Sequence, residues 1–560
     1  MRPVDESKKG FTFYVRKAYN ASYSALANKY NNSVVKMIQR PAFAWIGMII
    51  ACGLMVWLMS TTPKELVPQE DQGVIMVNVA TPPGYSMEKN GEVLDRVGEI
   101  IMKNEEVEDY AKISGFGLIS GTGSNYGTII VRLKNWDERK GVEHSLDMIK
   151  YRIYTDCQSI KEAQVMPFQS PQIPGYGQGN SIELVMQDQT GGSKDEFAAH
   201  VDKFIAELHK RPEVSNVFNT YEATFPKYRV EVDPTICARS GVSPQEVLSV
   251  LGSYCGGAYI SNYNQYGKIY RVMAQAAPQY RLDENSLDNI FIRVGNDKMA
   301  PISQFATLIP TVGPSLDKRF NLFSSITLNV DPGSGYSSGQ AMEAIEEVFK
   351  ATMPMGTSYE YGGLSREEAS NAKSNMTLFI YAICIVLIYL ILACLYNSWL
   401  VPLAVLFSVP FGLMGAFLFI RPISFLGFTN NIYLQTGVIM LIGLLAKTAI
   451  LITEYATAKR KNGMSIYDAA VGAAKDRLRP ILMTVLCMII GMLPLIIKSG
   501  AGAMGNRSLA LGVVGGMIVG TISLVFVVPV FFMFFQKVHE KVQGYEPDEI
   551  EVEEITVKND

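Results

Sequence analysis

Six long apolar runs, one before and five after a polar stretch of roughly three hundred residues, limit what this chain can fold into. They lie at Phe43 to Ser60 and near 376–396, 400–420, 432–457, 480–498 and 509–535, each long enough to cross a bilayer as a helix. The mean hydropathy is only +0.13, so the apolar residues are concentrated in these runs. The formal charge of −3 comes with no basic patch and interleaved aromatics, which argues against a nucleic-acid partner. Seven cysteines and four histidines show no CxxC or His/Cys spacing, so neither zinc nor a disulfide framework is indicated. His144, His200, His209 and His539 all fall outside the apolar runs, which excludes a histidine proton relay among them.

Near the middle of the run Asn431 to Ala456 sits one lysine, Lys447. An ammonium at the centre of a membrane helix costs about 2.5 to 3.5 kcal/mol and persists where a partner or a wet interior accepts it. At about 1.5 Å per residue it is too deep to snorkel to either interface. Glu454 shares its helix face but lies roughly 10 Å along the axis, too far to pair. No other apolar run contains Asp or Glu, so a carboxylate partner must come from another helix, on another chain or on a missing part of this one.

Residues 1–42 read as an amphipathic linker helix, with Phe11, Val15, Tyr19, Tyr23, Leu26, Tyr30 and Val34 recurring every three or four residues among lysines and arginines. That pattern suits a helix lying on a membrane surface, or one packed on a soluble domain. Basic residues before the first run place its start in the cytoplasm, and Lys459 to Arg479 then fall on the same side. The predicted organisation is a linker at 1–42, a membrane helix at 43–62, an external region, five membrane helices over 376–535 and an acidic cytoplasmic tail at 536–560.

The external region alternates strand and helix: Val74 to Ala80, Ser86 to Lys103, Val107 to Ile113, Thr128 to Leu133, His144 to Tyr154 and Ala163 to Met166. This β-α-β-β-α-β order is the split βαβ, ferredoxin-like plan. A second copy begins at Ile182 to Met186, Lys194 to His209 and Val214 to Phe218, and resumes at Ile326 to Val330, Ala341 to Phe349 and Ser358 to Tyr361, around an insertion. The fold class is therefore a six-helix membrane bundle plus an α+β domain of ferredoxin-like split βαβ subdomains. Soluble-enzyme signatures such as GxxxxGK[ST], HExxH and GxSxG are absent. Gly115 to Gly123 reads as a glycine-rich loop between strands, a flap with Phe116 and Leu118 at its tip. Gly412 and Gly415, with Gly512, Gly516 and Gly520, have the spacing of closely packed membrane helices.

Gly443-Leu-Leu-Ala-Lys447-Thr-Ala-Ile-Leu-Ile-Thr-Glu454, Arg477-Leu-Arg-Pro-Ile-Leu-Met-Thr484, Gly500-Ala-Gly and Val513-Val-Gly-Gly-Met resemble the last helices of the resistance-nodulation-division efflux pumps, AcrB-like branch. Pro68-Gln-Glu-Asp-Gln-Gly73, Gly115-Phe-Gly117, Leu133-Lys-Asn-Trp136 and Gly363-Leu-Ser365 support the likeness, which runs from Met1 to about Gln536. Members of that family have twelve membrane helices in two similar halves, and this chain resembles the second. Met1-Arg2-Pro3 resembles the exit from the sixth helix.

The resemblance implies a secondary active transporter, not an enzyme, in the bacterial inner membrane with a large periplasmic domain. It would export drugs or amphiphilic compounds by proton antiport, using proton motive force with no cofactor, catalytic residue or metal. Implied partners are a missing first half carrying intramembrane aspartates, two further copies in a homotrimer, a periplasmic adaptor and an outer-membrane channel. Lys447, Arg477 and Thr484 would form the proton relay. Residues 63–178 would be one pore subdomain, 179–224 with 322–368 a second, and 225–321 the funnel or docking subdomain. Phe116, Gly117, Leu118, Ile130 and Phe168 would line the substrate pocket, with Leu118 and Ile130 standing where well-known drug pumps have phenylalanine. Alternatives are a six-helix protein-export accessory, a metal exporter, although Met76, Met87 and Met166 form no evident ligand set, or a non-transporting scaffold.

Overall fold

The computed structural model describes residues 11–544 apart from 120, 178, 220, 296–297, 334 and 375. The readings of Met1-Arg2-Pro3 and of the acidic residues after 544 lie outside the described residues. The chain divides into two compact units, one formed by Met1–Gly192, Ala199–Asn219 and Ser325–Asp560, the other by Ser193–Ala198 and Thr220–Ser324.

In the first unit, six helices among the described residues are long and apolar enough to cross a membrane: Ala42–Thr61, Met376–Tyr396, Val401–Ser424, Ile432–Lys461, Ile466–Ile497 and Ala503–Val542. The predicted boundaries move for physical reasons. The third span is broken into Val401–Leu406 and Val409–Ile420, because Pro410 lacks the N–H that would continue the ladder; Ser408 donates its hydroxyl to the Val405 carbonyl at 2.6 Å. The fifth helix begins at Ile466, not 480, and runs through Pro480. Its early turns bury Ala469, Ala470, Ala473 and Ala474, so much of the charged stretch between Lys459 and Arg479 is helix with a small-residue face. The last helix extends to Gln543 and so carries His539, whose Nδ1 meets the Ser398 hydroxyl at 3.0 Å.

Glycines bring helix backbones together as their spacing predicts. A Cβ on Gly516 would lie 2.9 Å from the Gly412 carbonyl oxygen, and one on Gly415 2.9 Å from that of Gly515. The helix Phe11–Gln39 packs on the fifth and last membrane helices. Its buried residues include Tyr30, Val34 and Ile38, whereas Leu26 stays exposed. Pro529 removes the donor for the Val525 carbonyl inside the last helix, and Tyr30 Oη donates to that oxygen at 2.9 Å.

Between the first two membrane helices, the described residues of the first unit form two sheets. One is antiparallel, in the order Val107–Gly117, Gly121–Leu133, Val74–Ala80, Gln164–Gln169. Ile75, Val77, Val79, Ile129 and Val131 bury one face against Val93, Leu94, Val97, Ile149 and Ile153 of its two helices. The other sheet joins Val214–Asn219, Phe323–Pro332, Ile182–Asp188 and Thr357–Tyr361. The helix Gly363–Lys373, not foreseen from sequence, follows it. In the second unit, the strands Phe225–Val232 and Ala306–Gly313 pair antiparallel, and Cys237, Val247, Ile302 and Phe305 centre a separate core.

Candidate functional site

Lys447 stands at the centre of the 30-residue helix Ile432–Lys461. Leu434, Val438, Leu441, Leu445, Thr448 and Ile452 face the bundle core, whereas Thr436, Gly443, Lys447 and Glu454 lie on the opposite, exposed stripe. Among the described residues, Lys447 has no hydrogen bond or ion pair. A Cβ on Gly443, one turn away, would meet nothing within 4 Å.

The other two proposed relay residues lie on the next helix, without direct bonds to Lys447. Thr484 is exposed and donates to the Ile481 carbonyl at 2.9 Å. The Arg477 guanidinium lies 4.2 Å from the centre of the Tyr455 ring, a cation–π contact. Beside it Lys459 pairs with Asp476 at 2.7 Å. Arg460 grips Glu540 of the last helix through two bonds of 2.7 and 2.8 Å. Arg477 therefore belongs to a basic cluster at one helix end, away from the middle of the span.

The five proposed pocket residues divide differently. Gly115 to Gly123 is no open loop: the strands Val107–Gly117 and Gly121–Leu133 continue into it as a hairpin, pairing Phe116 with Thr122 and Gly117 with Gly121. The register shifts between Ser114 and Phe116, and Gly115 takes φ +82° there. Such a bulge bends the ribbon. Thr128 Oγ1 holds the bend, donating to the Phe116 carbonyl at 2.9 Å and accepting from the Leu118 N–H at 3.1 Å.

The bend brings the tip onto the sheet face opposite the helices. Ile119 and Leu118 pack there with Met76, Met166, Phe168 and Phe218. Phe168 lies within the strand Gln164–Gln169, longer than expected, and registers with Met76, which also registers with Ile130. Leu118 and Phe168 thus meet in one apolar cluster, and Ile130 shares its sheet face. Phe116, 40% exposed, and Gly117 stay on the hairpin. Alternation along Val74–Ala80 could have marked Met76 for this face; nothing local marks Phe218, which comes from the other sheet. Met87 is elsewhere, with its Cε 2.7 Å from where a Cβ on Gly115 would sit.

A second group of polar residues escaped sequence reasoning. Glu65 and Glu368 line one crevice with Gln172, Asn180, Glu183 and Ser338. Glu368 accepts from the Leu66 N–H at 3.2 Å and the Ser338 hydroxyl at 2.5 Å. Burial above all, and then the charge of Glu368, push the Glu65 carboxyl up to about 8, against the lowering effect of its bond from Thr429. Burial likewise raises Glu368, opposed by the bonds from Ser338 and Leu66.

The family model for AcrB/AcrD/AcrF proteins matches residues 1–536. The chain belongs to the AcrB/AcrD/AcrF family. It is 32% identical to the antibiotic efflux pump membrane transporter ArpB of Pseudomonas putida over 517 residues, covering 92% of this chain and 48% of that protein. To the multidrug export protein AcrF of Escherichia coli it is 32% identical over 547 residues, covering 96% and 52%. The multidrug resistance protein MdtF of Escherichia coli is 31% identical over 519 residues, covering 92% and 49%. The chain spans about half the length of these curated relatives. The six apolar helices and small antiparallel sheets among the described residues accord with a transporter of the AcrB/AcrD/AcrF family.

Proposed function

We propose that this chain is the second half of an inner-membrane, proton-driven exporter of drugs or other amphiphilic compounds, working by antiport. The observation that carries the reading is Lys447: a charge at the middle of a membrane helix, on an exposed stripe, with no partner among the described residues. A first half supplies the carboxylates that pair with it. Proton arrival neutralises those carboxylates and releases Lys447, and the helices rearrange. One charge moved through the membrane field is worth about 2.3 kcal/mol per 100 mV, enough to bias such a change.

The sheets between the first two membrane helices form periplasmic pore subdomains of the ferredoxin-like, split βαβ plan. Residues 225–321 form the docking subdomain of a trimer that meets a periplasmic adaptor and an outer-membrane channel. The apolar cluster of Leu118, Phe168 and the methionines offers the sheet face for amphiphilic substrates. It has fewer aromatic planes for stacking than a phenylalanine-lined pocket.

Co-expression tests the reading. This chain alone should export no amphiphilic dye, and adding the matching first half should restore export in a strain lacking its own pumps. Export by the isolated chain would sink the proposal.

A further inference from the structure

Three sequence motifs that the proton and substrate sites leave unused meet at one joint. The first, Pro68-Gln-Glu-Asp-Gln-Gly73, follows the first membrane helix; the second ends in Trp136; the third, Gly500-Ala-Gly502, precedes the last membrane helix. Glu70 spans them. Its carboxylate accepts from the Gly502 N–H through Oε2 and from the Gly505 N–H through Oε1, both at 2.6 Å. These are free donors at the start of the 41-residue helix Ala503–Gln543, where a negative charge is favoured. The carbonyl of the same residue accepts from the side-chain amide of Gln169, the last residue of the sheet strand Gln164–Gln169, and from that of Gln172 at 3.1 Å.

The surroundings leave the joint little freedom. Trp136 Nε1 donates to the Asp71 carbonyl at 3.1 Å, and the Asp71 carboxylate holds the buried guanidinium of Arg139 at 3.0 Å. The same indole fits against Gly73 and Gly500, where an added Cβ would come within 3.4 and 3.3 Å of it. Gly500 and Gly502 have φ of +106° and +74°, conformations that favour glycine, and so present the helix start to Glu70.

We propose that Glu70 is a positioning residue that couples the last membrane helix to the sheet edge bearing Phe168. Its side chain follows the helix start, its main chain holds Gln169, and a shift of one is carried to the other within a single residue. This use of the joint rests on the transport reading; the joint itself does not.

Hydrogen exchange by mass spectrometry on the full chain in lipid nanodiscs tests it. Glu70→Ala should speed exchange over residues 502–506 about fivefold, the scale of a lost helix cap. It should also speed exchange at least about twofold over 164–169, which a merely local cap would leave alone. Coupling is reciprocal, so Gln169→Leu, made at the sheet side, should speed exchange over 502–506. If Glu70→Ala also loosens the helix Met87–Ile101, Glu70→Gln, which keeps one acceptor oxygen, is read in its place. Changes confined to the substituted side in both variants overturn the joint, whether or not the chain supports export. Coupled exchange in a chain that supports no export even with the matching first half leaves the joint standing and removes the transport reading.

Discussion

The hydroxyl of Thr429 donates to Oε2 of Glu65 at 3.0 Å, tying the residues that follow the first membrane helix to the start of the helix that carries Lys447. The main chain repeats the link. Asn430 N–H donates to the Pro63 carbonyl at 2.8 Å and Ile432 N–H to that of Leu66 at 3.2 Å. Glu368, from the helix before the second membrane span, closes the group through Leu66 and Ser338.

That arrangement sets a pH dependence. Glu65 is raised to about 8 in the folded chain by burial first and the charge of Glu368 second, from about 4.3 in an unfolded one. Its contribution is fully present below about pH 4.3 and is lost as pH rises through about 8, because the folded state holds the proton longer. Thermal unfolding of the purified chain should therefore show a midpoint that falls between pH 5 and pH 9. Glu65→Gln should flatten that fall, and an unchanged slope in the variant would assign it to other groups.

Tyr30→Phe keeps the packing of the ring and strips the donor from the Val525 carbonyl beside Pro529. Leaving a buried acceptor unsatisfied costs about 1 to 3 kcal/mol. The expected result is a lower unfolding midpoint, with Ser33→Ala on the same helix, where the bond is exposed, close to wild type.

Two glycines of the membrane bundle should respond oppositely to alanine. On Gly516 a Cβ would lie 2.1 Å from Leu441 Cδ2 and 2.9 Å from a backbone oxygen, so the substitution should destabilise by about 1 to 3 kcal/mol. On Gly443 it would meet nothing within 4 Å, and the isolated chain should tolerate it. Thermal shift in detergent distinguishes the two.

Phe168→Ala should cost about 3 to 5 kcal/mol, because Phe168 fills the cluster under Leu118 and Ile119. Phe116→Ala should cost less, as its ring is 40% exposed. Comparable unfolding midpoints for the two variants would contradict the packing described for the hairpin tip.

Much of this was legible because periodicity survives in both solvents. Apolar runs marked each of the six spans found among the described residues, and alternation in Val74–Ala80 marked a strand whose Ile75, Val77 and Val79 point one way. The glycine spacing foretold the close approach of Gly412 and Gly516. Legibility failed where a local signal had a distant remedy. Pro480 reads as a helix boundary, yet the helix passes through it. Glycines read as an open loop at 115–123, yet one bulge and the Thr128 hydroxyl fold them into a paired hairpin. Glu65, Glu70 and Glu368 look like surface acids, and only tertiary contacts with Thr429, Gly502 and Ser338 give them work. Lys447 was visible at once, since a lysine inside an apolar run has no bland counterpart.

The most direct test of the account replaces that lysine. In proteoliposomes holding this chain assembled with its proposed first half, dye movement driven by an imposed pH gradient is compared between wild type and Lys447→Met. The variant should assemble as well as wild type and lose gradient-driven movement. Undiminished movement in Lys447→Met would contradict it.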